Sequence, residues 1–123
     1  MKEDAYISGH LKTHASFADL IQSLSASAFN VEIRESAHYE GGRYIAIRSP
    51  GGNRWTVEYI APGEYLLRAD EGFLNKLVEF SRLLSGCFSK YRWQHRIEVY
   101  DGKDALQRYF HHDWPQGANV KKR

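Results

Sequence analysis

The chain has little of what a small secreted or metal-held protein relies on. Its 123 residues hold a single cysteine, Cys87, so no internal disulfide can form. That usage fits a reducing compartment, and the cytoplasm is the expected location. No apolar run approaches the roughly 20 residues that a membrane helix needs. The N-terminal stretch MKEDAYISGH sets acids beside its lysine and has no apolar run after it, so it is not read as a signal peptide. There is no internal repeat and no low-complexity segment. The glycine pairs Gly41-Gly42 and Gly51-Gly52 match no phosphate-loop pattern and lead into no helix, which leaves hairpin turns as their reading.

Without disulfides, the chain must be held by a core of its own. Its length suits one domain over residues 1–123, because domains cluster near ~100–150 residues. Residues 1–12 and 116–123 are expected to be loosely ordered. The net charge is +2, but Lys121, Lys122 and Arg123 carry three positive charges, leaving −1 for the rest. A short basic tail of this kind reads as a solvated end. Eight Tyr, six Phe and three Trp are present. Aromatics bury large areas and also dominate binding hot spots, so they serve both core and interface.

Periodicity organises the rest. Phe17, Leu20, Ile21, Leu24 and Ala28 recur at spacings of three and four, which predicts a helix capped by Thr13 or Ser16, with Asp19 near a capping-box position. From residue 30 the period becomes two. Val31 and Ile33, then Tyr44 to Ile47, then Trp55, Val57 and Tyr59, then Tyr65 to Leu67 form four strand-like runs. Turns at Glu40-Gly41-Gly42, Pro50 to Asn53 and Ala61-Pro62-Gly63 separate them, as in a meander of hairpins. Phe73, Leu77, Phe80, Leu84 and Cys87 predict a second helix over 70–88, capped by Asp70. A fifth strand is expected over 91–100, with Trp93, Ile97 and Val99 inward, and a short helix over 104–110. The fold class is therefore α+β: an antiparallel sheet of about five strands with helices packed on one face, in the order α-β-β-β-β-α-β-α.

Catalytic chemistry finds weak support. His111-His112-Asp113 carries metal-ligand residue types, but adjacent side chains diverge, so a metal would need His95 or His38 as well. Histidines at a helix C-terminus also simply favour its exposed carbonyls. His10 and His14 share a helical spacing without a completing glutamate. Cys87 falls on the apolar stripe of the second helix, where cysteines are buried and inert. Glu32, Glu35, Glu58 and Glu98, with Arg34, Arg92 and Arg96, read as mixed charge on an outer sheet face. Tyr44, Trp55, Tyr59, Tyr65, Tyr91 and Trp93 offer material for stacking RNA bases, but no segment matches an RNA-binding signature.

The run Arg96-Ile-Glu-Val-Tyr-Asp-Gly and the segment Tyr109-Phe-His-His-Asp-Trp-Pro resemble the C-terminal parts of small cytoplasmic immunity proteins. These neutralise bacterial polymorphic toxins, including those of contact-dependent growth inhibition systems. The resemblance implies a non-catalytic inhibitor, without cofactor, that binds one cognate toxin domain tightly. Inhibitors of nucleases are often strongly acidic, and this chain is not, which favours shape-matched or allosteric blocking, or a toxin that is not a nuclease. The expected partner-binding residues are Arg92, Gln94, Arg96, Glu98, His111, His112, Asp113 and Trp114. The alternatives are a small metal-dependent enzyme centred on His111, His112 and Asp113, and an RNA-binding module using the sheet face.

Overall fold

The computed structural model describes residues 4–27, 29–35, 43–49 and 54–114. The expected turns at 40–42 and 50–53 and the basic tail lie outside them. Seven antiparallel strands and two helices follow the order β1 (Tyr6–Lys12), α1 (Phe17–Ala26), β2 (Asn30–Glu35), β3 (Arg43–Arg48), β4 (Arg54–Ala61), β5 (Glu64–Ala69), α2 (Leu74–Lys90), β6 (Gln94–Tyr100) and β7 (Leu106–His112). They form one sheet in the spatial order β2-β3-β4-β5-β1-β6-β7. The mixed α/β class and the four-strand meander β2 to β5 agree with the sequence, but the sheet is larger than five strands.

The first correction is at the N-terminus. The stretch 1–12, expected to be a loose arm, supplies β1, which pairs with β5 on one side and β6 on the other. Ala5, Ile7 and Leu11 are buried on one face of it. Gly9 falls between Ile7 and Leu11 on the same face, and a Cβ there would stand 2.9 Å from the Leu67 Cβ and 3.2 Å from the Arg96 carbonyl oxygen. Glycine is what lets three strands close at that point.

The second correction is the region 104–110, where a strand replaces the expected helix. The Asp101 carboxylate accepts from the backbone N–H of Lys103 at 2.8 Å and Ala105 at 3.0 Å. Asp104 takes φ 65°, and the Asp101 N–H donates to the Ala105 carbonyl. This turn sends the chain back along β6, so Leu106 and Phe110 belong to a hairpin partner.

Helix α1 is capped as expected: the Ser16 hydroxyl accepts from the Asp19 N–H at 3.1 Å. Helix α2 starts later than Asp70. Gly72 exchanges two backbone hydrogen bonds with Ala5, holding the chain extended up to Phe73. Asp70 instead accepts from the Arg54 N–H at 3.2 Å. Leu20 and Leu24 of α1 join Leu77, Phe80, Leu84 and Phe88 of α2 in one core with Ile45, Trp55, Val57, Leu67, Ile97 and Val99 of the sheet. Strand register puts these sheet residues on the same face, so both helices bury their stripes there.

Candidate functional site

The other face of the sheet carries no helix among the described residues. On β1 the outward residues are Tyr6, Ser8, His10 and Lys12, and on β6 they are Gln94, Arg96, Glu98 and Tyr100. Register sets Tyr6 opposite Tyr100, His10 opposite Arg96, and Lys12 opposite Gln94. On the far side of β6, Arg96 faces His111 and Glu98 faces Tyr109 of β7.

These side chains lock one another. Arg96 reaches Glu98 at 3.0 Å with one nitrogen, and donates to Nδ1 of His10 at 2.7 Å with the other. The Tyr100 hydroxyl donates to the same Glu98 oxygen at 2.7 Å. Burial and that bond to a carboxylate push the Tyr100 phenol up to about 12. Tyr6 stacks on Tyr100 with ring centroids 5.1 Å apart and donates to Asp104 at 2.7 Å, which raises its own phenol pKa. Burial, and then the positive charge of Arg96, lower the pKa of His10, in keeping with a neutral ring that accepts at Nδ1.

Trp114 completes the arrangement. Its ring stacks on His10 at 5.9 Å, with the Arg96 guanidinium 5.5 Å and the Lys12 ammonium 5.3 Å from its centroid. Two cations and a neutral imidazole thus surround one half-buried indole. Tyr109 and His111 stack on each other at 4.8 Å along β7.

Of the residues expected to bind a partner, Gln94, Arg96, Glu98, His111 and Trp114 share this region. Arg92, in the turn after α2 with φ 60°, and Asp113, with φ 53°, instead help line a cleft of about 590 Å³ at the end of β1, together with Lys12, Thr13 and Glu64. His112 goes to the helix-covered side, where it stacks on His95 at 6.4 Å. His95 itself is fully buried. Its Nδ1 hydrogen bonds to the Trp93 carbonyl at 3.0 Å and its Nε2 to the Ser85 hydroxyl at 2.7 Å. Nδ1 must therefore donate and Nε2 accept, and burial lowers the pKa of this ring. Tyr6, His10, Lys12 and Tyr100 were not expected at the site; Tyr100 ends the expected fifth strand, and the signal for the other three was the alternation from Ala5 to Lys12, weakened by Gly9.

The rival chemistries fare less well geometrically. His111 and His112 point to opposite faces, and among the described residues no three His, Cys, Asp or Glu side chains are grouped to hold a metal. Trp55, Tyr59 and Tyr65 lie on the helix-covered side, and Tyr91 and Trp93 pack against the core, so of the aromatics considered for RNA only Tyr44 faces outward. Three of the four carboxylates considered are engaged in ion pairs, Glu32 with Arg34 at 2.6 Å, Glu58 with Arg68 at 3.3 Å and Glu98 with Arg96. Cys87 donates to the Ser27 hydroxyl at 3.3 Å, and burial pushes its thiol pKa up, the opposite of an activated nucleophile. No helix is long and apolar enough to cross a membrane among the described residues. Comparison with protein-family models, curated proteins and solved structures finds no match.

Proposed function

We propose that this protein is a binding protein of the immunity type, which neutralises a cognate toxin domain by seating it on the helix-free face of β1, β6 and β7. The observation that carries the reading is Trp114 held against His10 between Lys12 and Arg96. Tryptophan and arginine are the commonest interface anchors, and anchors bind best when their rotamers are fixed beforehand. The Arg96–Glu98–Tyr100 ladder supplies that rigidity. It also leaves the ladder's cation paired with an anion, so the surface selects by shape and aromatic contact more than by net charge. On this reading the protein works in the cytoplasm, has no catalytic step, and needs no cofactor.

The test is co-purification with the product of a toxin reading frame beside this gene. A stable stoichiometric complex that protects cells from the toxin is the expected result. Absence of both complex and protection overturns the reading. Stoichiometric zinc or iron in the purified chain would favour the metal enzyme, and salt-dependent RNA binding lost on Arg96→Ala would favour the RNA module.

A further inference from the structure

A second concavity lies at the β2–β3 edge of the sheet, the opposite edge from β7. Its volume is about 710 Å³, within the ~300–1,000 Å³ typical of small-ligand sites. Phe29, Phe80, Leu83 and Cys87 give it an apolar wall, and Leu83 is 49% exposed. Gly86 lines it from the interior of α2, where glycine weakens a helix. A Cβ placed on Gly86 meets nothing within 4 Å, so the missing side chain leaves open space instead of admitting a packed neighbour.

The charges on the lining have one sign. Arg48 and Lys90 are there, and no described lining residue is acidic. Arg48 has no ion-pair partner among the described residues. Lys90 has no ion-pair partner among the described residues either, and its ammonium lies 5.7 Å from the Tyr91 ring. The negative end of α2 does not use up these cations. Its last carbonyls, those of Cys87, Phe88 and Ser89, are already taken by the N–H groups of Tyr91, Trp93 and Arg92.

We infer that this cavity binds an amphiphilic anion, with an apolar chain against Phe29, Phe80 and Leu83 and a carboxylate or phosphate head at Arg48 and Lys90. An inorganic anion would leave the apolar wall wet, and a neutral oil would leave the two cations unanswered. A guanidinium meets either head in the same bidentate way. The inference stands apart from the toxin-binding reading and concerns another part of the molecule.

Titration calorimetry and amide NMR of the full chain with decanoate, decyl phosphate, 1-decanol and acetate, below micelle-forming concentrations, test it. Decanoate or decyl phosphate should bind one to one and shift the amides of Phe29 and Gly86. Whichever binds more tightly identifies the head group. Decanol should bind about tenfold more weakly, the value of a charge-assisted contact, and acetate not at all. Arg48→Ala with Lys90→Ala should bring the anions down to the level of decanol while leaving decanol unchanged. Gly86→Phe should abolish binding of all three chains by filling the cavity. Leu83→Glu, at an exposed position that folding tolerates, should repel the anions alone, and it carries the test if Gly86→Phe fails to fold. Equal affinity for decanol and the anions, undiminished binding in the arginine–lysine variant, or no binding of either anion overturns the proposal.

Discussion

The guanidinium of Arg96 on β6 donates to Nδ1 of His10 on the neighbouring strand β1, 2.7 Å away and 86 residues earlier in the chain. The bond ties the segment taken for a loose arm to the strand taken for the binding surface. It also fixes the tautomer and the charge of His10, because a nitrogen that accepts from a guanidinium carries no proton.

Stability should therefore fall on acidification. His10 and His95 both have their folded-state pKa lowered, chiefly by burial. A histidine protonated more readily in the unfolded chain contributes stability that is fully present above its ordinary value, near 6.5. That contribution is lost as pH falls below it toward the lowered value. Urea midpoints should be flat from pH 8 to 7 and decline from about pH 6.5 downward. His95→Gln should flatten the decline. An unchanged slope in that variant would show that other groups govern it.

Ser85→Ala should cost about 1–3 kcal/mol, the usual penalty for orphaning a buried polar atom, because it strips Nε2 of His95 of its partner. Chemical denaturation measures this directly. Replacing both residues, Ser85→Ala with His95→Leu, should recover only part of the loss, since the orphaned Nε2 is gone but the Trp93 carbonyl loses its donor.

Two glycines should respond with opposite signs. Gly9→Ala puts a Cβ 2.9 Å from the Cβ of Leu67, and neither that atom nor the Arg96 backbone is a flexible tip. Overpacking of this kind costs about 1–3 kcal/mol. Gly86→Ala meets open space within a helix and should stabilise by about 0.5–1 kcal/mol. Thermal melts of the two variants check both signs at once.

The contrast between these glycines also explains what was legible in the sequence. The Phe73 to Phe88 stripe spans many turns and stood out as the core helix despite Gly86. The meander from β2 to β5 was marked by long alternation and turn residues. β1 is just as deeply placed, but its inward row is Ala5, Ile7, Gly9 and Leu11, in which two of four positions are too small to look like core. The 104–110 region has Leu106 and Phe110 four apart, a helical spacing. Its strand state is decided by Asp101 closing the turn and by pairing with β6, a tertiary preference that local pattern does not carry. The site followed the same rule. Gln94, Arg96, Glu98, His111 and Trp114 were found from the last strands, whereas their cross-strand neighbours Tyr6, His10 and Lys12 were hidden in the unrecognised strand.

The Asp101 turn gives a further expectation. Asp101→Ala removes the acceptor for Lys103 and Ala105 N–H and for the Gln107 side chain. Amide exchange along β7 should accelerate while that of β3 and β4 stays unchanged. Uniform acceleration across the sheet would mean that the hairpin is not a separable unit.

The most direct test of the proposed binding surface is the affinity of the proposed partner, the neighbouring toxin domain, for the wild-type chain and for Trp114→Ala, measured by surface plasmon resonance alongside a thermal melt. Trp114 follows β7 and rests on the sheet face outside the core cluster, so its removal should leave the melt nearly unchanged. It should weaken binding by about 30-fold or more, as expected of an interface hot spot. Unaltered affinity for Trp114→Ala would contradict the account and place the contact elsewhere on the molecule.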